Sequence, residues 1–199
     1  MKQRPILFCV PMVRAILDGS KRMTRRVVKD GHAVVCPYGV EGDQLWVKEE
    51  HYAFGKWERD GFTKKGRPKW HFVRTGGIQI EPPKSRFRTS RDHVAPRAPQ
   101  WYKRIARFMP KSVSRITLEV TRVRVDRLHD ISGTDAIAEG IESYTAIMGD
   151  AEVTTFRDYL TGKTDRAARN SFETLWIRLN GRESWDANPL VWVVEFVRV

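Results

Sequence analysis

Two cysteines, Cys9 and Cys36, are all that the chain contains, too few for a disulfide framework. Only His32, four residues before Cys36, stands near either one, and a single such pair is weak evidence for zinc. Both thiols are read as ordinary buried side chains. Long apolar runs are missing too. Residues 5–10 are too short for a secretory leader and run straight into Pro11. No stretch reaches the roughly 20 apolar residues that span a bilayer. The expectation is a soluble, cytoplasmic protein with no membrane partner. No P-loop, dinucleotide fingerprint, paired acidic metal box or nucleophile elbow is found, so neither a cofactor nor a metal is expected. Carboxylates are also scarce: 24 Asp and Glu face 36 Lys and Arg, a net charge of +12. That surplus says nothing about fold but favours polyanionic partners. Aromatics interleaved with the basic residues point to RNA, DNA or a nucleotide, against the blander reading of a basic surface that aids solubility.

A chain of 199 residues suits one domain, or one domain with a large insertion. Residues 6–10 predict a short strand. Pro11 suits the first turn of a helix in which Met12, Val13, Ile16 and Leu17 recur at helical spacing and Gly19 is the stop. Residues 44–49 predict a strand after a turn at Gly42-Asp43. Residues 115–125 alternate with a change of parity between Val120 and Val123, which predicts a bulge near Thr121. Ser132 is placed to cap a helix carrying Ala136, Ile137 and Ile141 and ending at Gly140. A further helix is predicted over about 167–179, with Phe172, Leu175, Trp176 and Leu179 on one face. Asn180-Gly181 and residues 185–189 predict turns, and residues 190–199 a last strand.

Between about 51 and 110 the character changes to Gly, Pro, Lys, Arg and aromatics without sustained periodicity. Short hairpin strands are predicted at 70–73 and 78–80 around Gly76-Gly77. The segment reads as a long, partly ordered basic insertion, either a solvated loop or a binding arm. Trp57, Trp70 and Trp101 lie outside the strong strands and are the candidates for stacking on bases. Arg86, Arg88, Arg91, Lys103 and Arg104 are the candidate backbone contacts.

Gly19-Ser20-Lys21-Arg22-Met23-Thr24-Arg25-Arg26 is the most informative run. In an extended segment Thr24 and Arg26 share a face. A lysine near a hydroxyl can serve as its base when burial or neighbouring cations depress its pKa. The arginines suit phosphate or carbonyl oxygens. The bland alternative is a basic surface strand.

The pattern Gly19-x-Lys21-x-x-Thr24-x-Arg26 resembles the ASCH-domain signature, placed as usual after a short first helix. The likeness covers about residues 5–50 and 112–199, and the added length resembles that of phage and prophage members. ASCH domains are similar to PUA domains, so the resemblance implies an α+β fold. The expected architecture is a PUA-like small β-barrel with flanking helices, a single domain over 1–199, with the basic insertion at about 51–110. One bacterial branch removes the acetyl group from N4-acetylcytidine. By that likeness Lys21, Thr24 and Glu139 form the expected catalytic set. Thr24 attacks the amide, Lys21 takes its proton, Glu139 relays protons, and Arg26 steadies oxyanion charge. Arg22, Arg25, Arg26 and Trp46 complete the expected substrate-binding set, although Trp46, like Trp192, reads first as core or barrel-mouth packing. Glu139 near a helix C-terminus runs against the helix dipole, as functional residues sometimes do. Two other functions stay open: a nuclease acting on single-stranded RNA or DNA, and a non-catalytic nucleic-acid-binding protein.

Overall fold

In chain order, the computed structural model has strand β1 (Gln3–Leu7), helix α1 (Val10–Leu17) and strands β2 (Met23–Val27) and β3 (Gln44–Lys48). Strands β4 (His51–Phe62), β5 (Pro68–Gln79), β6 (Phe87–Arg88) and β7 (Gln100–Arg104) follow. Then come β8 (Thr117–Arg127), helix α2 (Gly133–Ala138) and strands β9 (Ser143–Met148), β10 (Ala151–Arg157) and β11 (Thr164–Asp165). Helices α3 (Ala168–Asn180) and α4 (Arg182–Asp186) lead to the last strand, β12 (Leu190–Arg198). The structure describes residues 1–29, 35–89, 98–148 and 151–199. It is a mixed α+β chain in which sheet predominates.

The chain divides into two compact units, residues 1–4, 11–46 and 116–199 in the first and 5–10 and 47–115 in the second. In the first unit β12 pairs antiparallel with β8 on one side and β2 on the other. Leu118, Val120, Val191, Val193 and Val194 are fully buried there, as β-branched and aliphatic residues of a central ladder should be. The predicted bulge is present. Glu195 pairs with Arg122 and Phe196 with Val120, which leaves Thr121 unopposed. The extra residue reconciles the two parities of the apolar pattern.

The sheet order β1-β3-β8-β12-β2 leaves β1 and β2 at the edges, and among the described residues no ladder joins them into a closed barrel. Helix α1 buries Met12, Val13, Ala15 and Ile16, and Gly19 ends it with φ 83°. Helix α3 buries Phe172, Leu175 and Trp176, but Leu179 runs beyond the core and is 57% exposed. Ile137 is exposed as well, since α2 is short and buries only Ala136. Trp185 lies in α4 and is buried, where a turn was predicted. Strands β9 to β11 form a small antiparallel sheet that the periodicity did not indicate.

The second unit holds a four-stranded sheet of order β5-β4-β7-β6. Residues 70–73 and 78–80 are not two strands around a Gly-Gly turn: 70–73 and 78–79 belong to one strand, β5, which ends before residue 80, and the chain reverses earlier, at 63–67. Gly76 lies within β5 because a Cβ there would meet the Phe54 ring at 2.9 Å. Glu49 anchors the unit through a bidentate pair with Arg115, at 2.9 and 3.0 Å. Among the described residues no helix is long and apolar enough to cross a membrane.

Candidate functional site

Lys21 is delivered by a tight exit from α1. Asp18 Oδ1 accepts from the Ser20 amide at 2.9 Å, and the Lys21 amide donates to Ala15 O at 2.8 Å. The next amide, of Arg22, donates to Ala138 O at 2.8 Å, and Lys21 forms a bridge with Glu139. Gly140 makes this approach possible. Its φ is 78°, and a Cβ on it would lie 2.6 Å from Lys21 Cβ and 2.9 Å from Ala15 Cβ.

The Lys21 ammonium, 3% exposed, donates to Met23 O at 2.8 Å, Glu139 O at 2.6 Å and Glu139 Oε2 at 2.8 Å. Three acceptors match its three protons. Arg25 is equally buried. Its Nη1 donates to Met23 Sδ at 3.2 Å and Glu139 Oε1 at 3.4 Å, and its Nη2 to Asp135 Oδ2 at 2.5 Å. The guanidinium lies 5.9 Å from the centre of the Phe172 ring, and Arg25 Nε has no hydrogen-bond partner among the described residues. Arg124 extends the network, donating to Asp135 Oδ2 and Asp126 Oδ2, each at 2.8 Å, and to Glu195 Oε1. Ser132 caps α2 by accepting from the Asp135 amide at 3.0 Å, which fixes the helix whose Asp135 and Glu139 meet these cations.

The strand pleat separates the signature residues. Met23 and Arg25 share the face of the ion-pair network, and Thr24 and Arg26 alternate to the other. Thr24 is buried, paired with Val194 across the ladder, and its hydroxyl makes no hydrogen bond among the described residues. Lys21 and Glu139 are therefore brought together, while Thr24 is not joined to them by a hydrogen bond. Arg25 belongs to the buried network and is not a surface contact. Arg26 is half-buried opposite Trp192, and Arg22 is exposed. Trp46 is half-buried on β3 opposite Thr117. A hollow of about 320 Å³ beside Lys21 and Arg22 is walled by Ile16, Leu118 and Phe196, at the small end of ordinary ligand sites.

Sequence reasoning missed Asp135 and Arg124. Asp135 carries a readable signal, four residues before Glu139 on a helix. Arg124 looks like any polar member of an alternating strand. Among the described residues no group of three or more His, Cys, Asp or Glu is arranged to hold a metal, and His32 lies outside them.

The residues expected to contact nucleic acid separate across the second unit's sheet. Trp57 and Trp101 lie within strands β4 and β7, where no strand was predicted, and Trp70 lies within β5, which takes in the strand expected at 70–73. Trp57 pairs with Phe72 across the ladder, and the Arg104 guanidinium lies 4.8, 4.3 and 4.8 Å from the ring centres of Trp57, Phe72 and Phe108. Burial lowers the pKa of that guanidinium from its ordinary value. Trp101 stacks edge-on against Phe54 on the opposite face. Lys103 on that face is paired with Glu50 at 2.6 Å, which raises its pKa. Arg86 is exposed, Arg88 is half-buried on β6, and Arg91 lies outside the described residues.

No family model matches the chain, and no curated protein matches it. Among solved structures it is similar to the crystal structure of an ASCH domain from Lactobacillus crispatus JV V101, at 12% identity and a TM-score of 0.40, over 99% of this chain and 79% of that one.

Proposed function

We propose that the chain is an ASCH-type protein that binds a nucleoside or nucleic acid beside Lys21, and that it hydrolyses the acyl amide of N4-acetylcytidine. One observation carries the reading. Lys21 of the signature and Glu139, the later glutamate that the family resemblance implies, lie 118 positions apart in the chain and meet as a buried pair at 2.8 Å. A fold gains little net stability from burying such a pair, so its presence favours a task beyond packing.

In the proposed reaction, Lys21 passes one proton to the Glu139 carboxylate and becomes a neutral amine. It then takes the proton of Thr24 as Oγ1 attacks the acetyl carbon. Collapse of the tetrahedral intermediate breaks the bond to N4, which takes the proton back from Lys21 and leaves as cytidine. Water then releases acetate from Thr24. Arg26, on the Thr24 face, supplies charge to the oxyanion. The reading requires Lys21 Nζ to come within hydrogen-bond reach of Thr24 when substrate is bound. The second unit is read as the insertion of a longer member of the family.

The test is release of cytidine from N4-acetylcytidine by the purified protein, with Lys21→Ala and Thr24→Ala alongside. Turnover lost in both variants supports the reading, and an inactive wild type overturns the hydrolase part of it. A non-catalytic binder is the second reading. It is favoured by the full commitment of the three Lys21 protons to protein acceptors.

A further inference from the structure

The net charge is not spread evenly. Residues 5–10 and 47–115 carry 18 of the 36 Lys and Arg but only 6 of the 24 Asp and Glu, a surplus of 12; the first unit is balanced at 18 against 18. The whole excess of the protein thus belongs to the unit built on the β4–β7 sheet.

Within that sheet the charge is divided again, between faces. Strand alternation and the register of β5 and β7 on β4 put His51, Ala53, Gly55, Trp57 and Arg59 on one face with Trp70, Phe72, Arg74, Gln100, Tyr102 and Arg104. No Asp or Glu stands at any of these positions. The opposite face carries Lys56 paired with Glu58 at 2.8 Å, Lys69 with Asp60 at 3.4 Å and Lys103 with Glu50 at 2.6 Å. One face is self-neutralised, and the other sets Arg59, Arg74 and Arg104, which form no ion pair among the described residues, among aromatic rings. Arg59 and Arg74 on the latter are exposed and Trp57, Trp70 and Phe72 are half-buried, whereas His51, Ala53 and Tyr102 are buried; the Trp57 indole N–H is buried as well and has no hydrogen-bond partner among the described residues.

We infer that this face of the β4–β7 sheet binds single-stranded nucleic acid, with Arg59 and Arg74 on phosphates and Trp70, Trp57 and Phe72 as the stacking surface. Guanidinium planes interleaved with aromatic rings recognise a strand whose bases are unpaired, because every base offers a π-face and every linkage a charge. A duplex hides the former, and an anionic bilayer offers only the latter. The residues of this face belong to the second unit, and those beside Lys21 to the first.

Fluorescence anisotropy of a labelled oligothymidylate of about 20 nucleotides, titrated with the full chain across a salt series, is the test. The wild type should bind it more tightly than a duplex of equal length. Arg59→Ala with Arg74→Ala should weaken binding at least tenfold and reduce the salt slope by about 1.4, two phosphates' worth for a single strand. Trp70→Ala should weaken binding at an unchanged slope. Lys56→Ala, on the neutralised face, should change affinity less than twofold. Both arginines are exposed, so circular dichroism should show the double variant folded. Equal binding of the duplex, equal losses from Lys56 and the arginine pair, or capture by phosphatidylserine vesicles in place of the oligonucleotide would each overturn the inference. N4-acetylcytidine turnover of the same double variant should match that of the wild type. Its absence in both proteins sinks the hydrolase reading alone, and loss of oligonucleotide binding by the wild type sinks this one alone.

Discussion

Asp135 and Glu139 stand one helical turn apart and are joined by a single guanidinium, that of Arg25, whose Nη2 lies 2.5 Å from Asp135 Oδ2 and whose Nη1 lies 3.4 Å from Glu139 Oε1. The two carboxylates cannot be altered independently, because each also holds a second cation, Arg124 or Lys21. The consequences follow from leaving one member of such a network without its partner.

Glu139→Ala strands the Lys21 ammonium and weakens the hold on Arg25. It should cost about 3–5 kcal/mol in urea unfolding, the usual effect of breaking a buried pair from one side. Lys21→Met combined with Glu139→Leu removes both charges at similar volume and should recover most of that loss. If the double variant is no more stable than Glu139→Ala, the pair is not the source of the cost.

Gly140→Ala should be worse than Gly19→Ala. Both glycines have positive φ, 78° and 83°, but a Cβ at Gly19 meets nothing within 4 Å, whereas one at Gly140 overlaps Lys21 and Ala15. The backbone term alone is about 1 kcal/mol, and overpacking adds about 1–3 kcal/mol at Gly140. Melting temperatures of the two variants should fall in that order.

Ser132→Ala removes the cap that accepts from the Asp135 amide. A loss of about 1 kcal/mol is expected in chemical denaturation. Ser132→Asp should retain most of the stability, since a carboxylate at the same position accepts the same bond and suits the helix N-terminus. A deficit in Ser132→Asp as large as in Ser132→Ala would count against the capping role.

His51 should make the second unit sensitive to mild acid. Burial pushes its imidazole below the ordinary 6.5, Arg104 and Lys48 add to the fall, and the Glu49 carbonyl at 3.4 Å opposes it. The unfolded chain therefore takes up the proton first. Stability from the neutral ring is complete above pH 6.5 and is lost as the pH falls towards the folded value, by up to about 1.4 kcal/mol per unit. Urea midpoints at about pH 7.5 and about pH 5.5 should differ more in the wild type than in His51→Phe. Equal differences would place the titration elsewhere.

Much of the first unit was legible because its signals are local. Pro11 and Gly19 bracket α1, Ser132 caps α2, and the change of parity between Val120 and Val123 corresponds to the bulge at Thr121. The second unit was not legible. Its strands alternate aromatics and arginines on one face with Lys and Glu on the other, so no hydrophobic period stands out. Gly76, which resembles a turn residue, is there to make room for Phe54.

By itself, the sequence determined the elements of the first unit, the excess of positive charge and the signature run from Gly19 to Arg26, because each depends on neighbours within a few residues. Tertiary structure alone decided which charges meet. Lys21 reaches Glu139 across 118 positions, and Arg25 reaches Asp135 across 110. Thr24, three residues from Lys21, turns to the other face of its strand. Pairing at such separation depends on sheet order and on the room that Gly140 leaves, and neither is written in the spacing of the residues themselves.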